Sequence, residues 1–509
     1  MPDPITDAWR SLLAIEHLTA WLVGLYALYV VWVGGWIVLQ KREPAATISW
    51  LLGLALIPYL GFLVYYFLGP QRIRRQRLRR ERTRAGLPDA PGRRDTESRE
   101  LARLGRATTG LAPTTAADVR LLSEGADKYD ALIADIATAG RYIHLEYYIF
   151  EPDEVGRRWS EILAAKALEG VAVRVLVDAI GSKNCKPRFW NPLREAGAEV
   201  RLFNPPALFR MRASLLNFRT HRKIVIVDGR TAFTGGINVS AGYSSSGSSS
   251  GDSRRQKEEE PNQAWRDTHV RIDGAAALDL QMIFLEDWLY GGTGNPLQRR
   301  RDKELMRTPS DIGRWFPQEP PDAAPPQGPW VQIIASGPDE NIPAIHRYFF
   351  TAISSARRRI WLTTPYFVPD EPMMTALVTA RARGVDVRLL LPRMGDSRFV
   401  TAAASTFAEE IMQEGVGVWE YVPRMIHAKT MVIDDELSIV GSANLDTRST
   451  RLNFELAALI YNQACCEILA QAFVADLAHS RKLEGEELQR LPLPQKPARA
   501  GARLLSPFL

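Results

Sequence analysis

Residues His221–Asn238 read HRKIVIVDGRTAFTGGIN, and residues His427–Asn444 read HAKTMVIDDELSIVGSAN. In both stretches Lys follows His by two residues, Asp by seven and Asn by seventeen, with a small pair, Gly235-Gly236 or Gly441-Ser442, ahead of the Asn. Of seven histidines in the chain, these two have Lys at the second following position. The apolar runs between Lys and Asp, Ile-Val-Ile-Val and Thr-Met-Val-Ile, read as short buried strands. Side chains two apart on a strand share a face, so His221 points with Lys223 and His427 with Lys429.

The repetition extends outward. Ile143–Asp153 (IHLEYYIFEPD) resembles Ile360–Asp370 (IWLTTPYFVPD). Glu169–Ser182 matches Arg383–Asp396, and Glu195–Phe203 resembles Gln413–Tyr421, in the same order. Two homologous units follow, each alternating strands with helices: helix Tyr129–Ala139, strand Tyr142–Phe150, helix Trp159–Leu168, strand Ala172–Asp178. That alternation predicts α/β units with parallel or mixed central sheets between helices. The first copy carries an extra loop at 205–220, and a Ser/Gly-rich stretch at 244–263 predicts a flexible loop.

The first seventy residues differ in kind. No charged residue occurs in 18–39 or in 44–70. Spans at 18–39 and 48–68 each have the length needed to cross a hydrocarbon core of about 30 Å. Trp21, Trp36, Trp50, Tyr65 and Tyr66 lie toward the span ends, where aromatic rings favour the headgroup region. Residues 71–99 hold eleven Arg and four acids, +7, so against a total of +6 the rest of the chain sums to −1. By the positive-inside rule this belt places everything after it on the cytoplasmic side. Basic charge confined beside a membrane span argues against nucleic acid as partner. Three cysteines, two of them adjacent, provide neither a disulfide framework nor a zinc site.

The expected organisation is two transmembrane helices in 1–70, an Arg-rich juxtamembrane segment and linker at 71–115, a first unit at 116–305, a Pro-rich linker at 306–329, and a second unit with a C-terminal tail at 330–509. Two histidines from related units meet only at the interface between them. One such site suits displacement at phosphorus in two steps, one imidazole attacking and the other moving the proton. Lys223, Lys429, Asn238 and Asn444 are placed to hold phosphate oxygens, and Asp228 and Asp434 to support the site.

The pattern HxKxxxxD followed by GGxN or GSxN, twice per chain, resembles the phospholipase D superfamily. NFRTHRKIVIVDGRTAFTGGINVS, WRDTHVRIDG, TTPYFVPDE and LNFELAALIY are similar to the bacterial cardiolipin synthases in particular. The resemblance implies two phospholipase D-like α/β/α sandwich domains in a pseudo-two-fold pair. It implies catalytic sets His221, Lys223, Asp228 and His427, Lys429, Asp434. It adds phosphate-binding or supporting roles for Asn238, Asn444, Glu455 and Asp267, the last two hydrogen-bonded to the histidines. The family reaction uses no metal or other cofactor and passes through a phosphohistidine. His221 is taken as the attacking imidazole, phosphatidylglycerol as donor and acceptor, and the bacterial cytoplasmic membrane as location. A membrane phospholipase D using water, a synthase using phosphatidylethanolamine as donor, an inactive scaffold and a nuclease are the competing readings. Homo-oligomerisation is compatible with the sequence and not decided by it.

Overall fold

The two four-residue apolar runs of the repeated motif, Ile224–Val227 and Thr430–Ile433, are fully buried strands, one at the middle of each half of one sheet. The computed structural model describes residues 4–39, 44–56, 100–205, 218–244, 264–291, 316, 328–339, 343–484 and 495–504. The first repeat contributes β1 (Thr114–Leu122), β2 (Tyr142–Tyr147), β3 (Ala172–Asp178), β4 (Glu199–Phe203), β5 (Arg219–Thr220), β6 (Ile224–Val227), β7 (Thr231–Gly235) and β8 (His269–Gly274). The second contributes β9 (Trp330–Ser336), β10 (Arg359–Thr363), β11 (Phe367–Val368), β12 (Asp386–Pro392), β13 (Gly417–Tyr421), β14 (Thr430–Ile433), β15 (Leu437–Gly441), β16 (Leu445–Asp446), β17 (Asn453–Tyr461) and β18 (Ser480–Lys482).

Sixteen of these form one mixed sheet. Outward from β1 the order is β8, β7, β6, β2, β3, β4; outward from β9 it is β17, β15, β14, β10, β12, β13, with β18 added at the edge. The two orders mirror each other about an antiparallel β1–β9 pairing, Thr114 opposite Val331 and Thr115 opposite Trp330. In each half three strands run parallel and the motif strands run antiparallel to them. Strand β17 is buried at all nine positions, as a central strand covered on both faces must be. Helices such as Gly125–Thr138, Glu154–Leu168, Ala344–Ser355 and Glu371–Ala382 cover the strands with apolar faces.

The repeated FEPD and FVPD signals are helix starts. Asp153 Oδ1 accepts from Gly156 N at 3.0 Å and Asp370 Oδ1 from Met373 N at 3.3 Å, satisfying N–H groups that a first helical turn leaves open. This cap corrects the expected helix Trp159–Leu168, which begins at Glu154. The helix expected at Tyr129–Ala139 begins at Gly125, and the strand expected to reach Phe150 ends at Tyr147, while Ala172–Asp178 is as expected.

The chain divides into two units, one around residues 1–71 and one carrying both repeats. In the first, helices Pro4–Val38 and Pro44–Leu56 pack through Val33, Ile37 and Leu54. Trp21, Leu22, Val23, Leu25, Leu28, Val31 and Trp32 of the longer helix are exposed. Among the described residues, no helix is long and apolar enough to cross a membrane. The expected span 48–68 continues beyond the described residues, and the Arg belt, the extra loop at 206–217 and the Ser/Gly stretch at 245–263 lie outside them.

The motif aspartates serve the fold. Asp228 and Asp434 both adopt φ 52°, a left-handed conformation that Asp tolerates better than most residues, in the hairpin turns after β6 and β14. The Asp228 carboxylate accepts the N–H groups of Gly140, Arg141 and Tyr142 at 2.8–2.9 Å. Asp434 does the same for Arg357, Arg358 and Arg359. Each carboxylate thereby ties a hairpin to the start of the neighbouring strand, at the far end of the motif strand from the histidine, on the order of 20 Å away by strand rise. We expect Asp228→Ala to destabilise the folded state by about 2 kcal/mol, the scale of a lost charged hydrogen-bond acceptor. Denaturant unfolding measures this. Unchanged stability with abolished turnover would instead place the carboxylate in the chemistry.

Candidate active site

Backbone pairing between the two halves sets the site. Strand β5 lies parallel to the start of β17, Arg219 beside Asn453 and Thr220 beside Phe454. His221 N then donates to Phe454 O at 2.9 Å, which brings the histidine to Glu455. The other half repeats this with partners exchanged. Arg266 bridges to Ile426, and His427 N donates to Arg266 O at 2.7 Å, which brings His427 to Asp267. Each histidine is therefore held by an acid of the opposite half.

The side chains follow. His221 Nδ1 lies 3.0 Å from Glu455 Oε1 and 3.1 Å from the Ser442 carbonyl. His427 Nδ1 lies 2.7 Å from Asp267 Oδ2 and 3.1 Å from the Tyr243 hydroxyl. A carboxylate only accepts, so pairing with Glu455 and Asp267 favours the proton on Nδ1 and the lone pair on Nε2, and the Lys429 Nζ 2.8 Å from His427 Nδ1 is the contact that opposes it. That tautomer is the one a nucleophilic or proton-accepting imidazole needs. All four groups are buried, Glu455 and Asp267 completely.

Small residues make room for the acids. A Cβ on Gly236 would stand 2.1 Å from Asp267 Oδ1, so only glycine fits. The equivalent Ser442 instead donates its hydroxyl to Glu455 Oε2. The shorter acid sits against glycine and the longer one against serine.

Lys223 and Lys429 lie beside their histidines, their ammonium groups donating to the His221 and His427 carbonyls. Burial lowers Lys223 to about 7, with Lys429 lowering it further and Glu455 opposing, and lowers Lys429 to about 8 against Asp267 and Glu455. Burial and Lys429 drive His427 down to about 3, and burial lowers His221 as well. Both imidazoles are neutral in the resting site. Burial alone would raise Glu455, but His221 and Lys223 outweigh it and hold its carboxyl below the ordinary range. Lys429 acts electrostatically on His221, and Lys223 on His427, so the two half-sites share one field.

Eight of the ten expected residues converge: His221, Lys223, Asn238, Asp267, His427, Lys429, Asn444 and Glu455. Asp228 and Asp434 do not. Asn238 is oriented by Ile149 N at 3.2 Å and Tyr243 at 3.2 Å. Asn444 N donates to Ser449 Oγ at 3.1 Å, and its Oδ1 has no partner among the described residues. Tyr243 and Ser449 both stand five residues after the motif Asn, a repeat-level signal for residues the sequence reading missed. Tyr148, whose ring centroid lies 4.9 Å from that of His221, and Tyr366, at 6.3 Å from His427, were also missed.

The cardiolipin synthase PLD-like domain family matches residues 132–247 and again 349–477. The phospholipase D-nuclease N-terminal family matches residues 20–70. A cardiolipin synthase of Geobacillus kaustophilus is 35% identical over 508 residues, covering 96% of this chain and 94% of the relative. The chain belongs to the bacterial cardiolipin synthases. The major cardiolipin synthase of Bacillus subtilis is 35% identical over 487 residues, covering 92% of this chain and 95% of that one. A phosphatidylserine synthase from Haemophilus influenzae superposes with TM-score 0.57 at 18% identity, over 81% of this chain and 100% of that one, a likeness of fold alone.

The depressed lysines give the site a pH signature. As pH rises through about 7 to 8, Lys223 and then Lys429 lose the charge that a phosphate oxygen needs. We expect kcat/KM, which reports the free enzyme, to fall along that alkaline limb. Lys223→Arg, whose charge persists, moves the limb up toward the Lys429 value. A profile level to pH 9 in both proteins would contradict the assignment.

Proposed function

We propose that this chain makes cardiolipin by phosphatidyl transfer between two molecules of phosphatidylglycerol. One imidazole Nε2 attacks the phosphorus of the donor. The P–O bond to the headgroup glycerol breaks, and the other imidazole, which takes up a proton from solvent at Nε2 once the anionic donor is bound, delivers that proton to the departing oxygen. A hydroxyl of the second phosphatidylglycerol then gives its proton to that imidazole and attacks phosphorus. The P–N bond breaks, and cardiolipin and glycerol are the products. Either assignment of the two imidazoles yields the same products. Lys223, Lys429, Asn238 and Asn444 hold the non-bridging oxygens as charge builds on them. Glu455 and Asp267 keep each Nδ1 protonated and steady each imidazole in its charged state, as acids do in triads.

The observation that carries this reading is the exchange of acids between the halves. It puts two neutral imidazoles of the right tautomer in one buried, lysine-lined site. Membership of the family supports the choice of lipid substrates. Water is disfavoured as acceptor if both lipids lie in the bilayer plane beside the site. We place the chain in the bacterial cytoplasmic membrane, anchored by spans at 18–39 and 48–68. The catalytic domains, 116–305 and 330–509, stand on the cytoplasmic side. The exposed apolar surface of the first helix and the arginines at 72–84 support that placement.

The test is lipid analysis by mass spectrometry after the purified protein meets phosphatidylglycerol alone. Cardiolipin and free glycerol are expected, and both are lost, by about a thousandfold or more, in His221→Ala and in His427→Ala. Phosphatidic acid as the main product would favour hydrolysis. A need for added phosphatidylethanolamine would reassign the donor.

A further inference from the structure

The two half-sites match in their His, Lys and Asn, and differ in charge at one position beside them. Two residues before His221 stands Arg219; two residues before His427 stands Met425. Backbone pairing confirms their equivalence: Arg219 pairs beside Asn453 on the acid-bearing strand of the other half, and Arg266 N donates to Met425 O at 2.9 Å. By strand alternation Arg219 shares a face with His221 and Lys223.

Arg219 is 9% exposed, and its Nη1 is buried without a hydrogen-bond partner among the described residues. A buried guanidinium N–H without a partner is costly unless something else meets it. Asp178, the acid in its electrostatic reach, does not do so: its oxygens accept the N–H groups of Ile180 and Gly181 at 2.9 Å and of Thr220 at 3.1 Å. Arg448 acts on Arg219 and on Tyr148, adding a second positive charge to the same corner. Asn453, in register with Arg219, has a buried Oδ1 with no partner among the described residues. Unused donor, unused acceptor and doubled positive charge together describe a place for an anion that also carries a hydroxyl.

The proposed reaction requires such a place. Donor and acceptor are both phosphodiesters, yet only one phosphorus reacts. The other negative charge must sit beside the site throughout, on one side of it. Two residues along a strand advance about 6.7 Å, comparable to the reach of the three-carbon bridge that joins the two phosphates of the product. We propose that Arg219 and Arg448, with Asn453, form a subsite for the phosphodiester that is not cleaved, so that the acceptor is recognised as an anionic lipid and not merely as an alcohol. This rests on the synthase reading above and specifies its acceptor.

The test compares two acceptors in one assay: phosphatidylglycerol, which carries the spectator phosphate, and 1-butanol, which does not. Phosphatidylglycerol is the donor for both, and the readout is the ratio of cardiolipin to phosphatidylbutanol. In Arg219→Met, which copies the other half, the ratio is expected to fall by about tenfold, the scale of one charge-assisted hydrogen bond. Arg219→Lys recovers part of it. Arg448→Met, at a half-buried position, lowers the ratio in the same direction and keeps the test alive if Arg219→Met does not fold. Equal losses of both products, or a ratio unchanged in Arg448→Met and in whichever Arg219 variants fold, would overturn the subsite. A wild-type protein that forms phosphatidylbutanol but no cardiolipin would instead overturn the synthase reading, and the subsite with it.

Discussion

The site depends on a reciprocal clamp. A few residues of backbone pairing on each side, Arg219–Thr220 against Asn453–Phe454 and Ile426 against Arg266, set each histidine against an acid of the opposite half. The clamp makes neither half sufficient alone. The first holds an acid without its own histidine's need for it, and so does the second. The antiparallel β1–β9 pairing joins the halves edge to edge and supports this exchange with a continuous sheet.

That arrangement explains how so much polarity is tolerated inside. Two lysines, two histidines, an aspartate and a glutamate are each buried, and isolated burial of any one charge would be strongly unfavourable. Glu455 stays ionised against His221 and Lys223, and the imidazoles stay neutral in the absence of an anion. The lysines have lowered affinity for their protons, which makes the site receptive to an anion and short of charge without one. A bound phosphodiester completes the set.

Much of this was legible in the repeat. The spacing of His and Lys marked strand faces, and two copies implied a shared interface. The alternation of apolar runs gave the α/β class, whereas the capping role of Asp153 was not read from the repeat and the helix Glu154–Leu168 was expected to begin at Trp159. The motif aspartates were harder to place, because spacing does not say which end of a strand a residue serves; Asp228 and Asp434 act at the end away from the histidines. The exchange of Asp267 and Glu455 depends on inter-half register, which has no local sequence signal. Tyr243 and Ser449 were hidden because the repeat conserves their position and not their chemistry. Arg219 against Met425 shows the converse: a break in the repeat, unremarkable in one copy, becomes informative once the structure aligns the two.

The central claim is that two half-sites make one reaction centre. Its most direct test is the stoichiometry of the covalent intermediate, measured by rapid acid quench of the enzyme with phosphatidylglycerol labelled in the phosphatidyl group. One acid-labile phosphatidyl group per chain is the predicted burst, absent when either His221 or His427 is replaced. Two groups per chain, or one group persisting with normal turnover after either replacement, would contradict the shared centre.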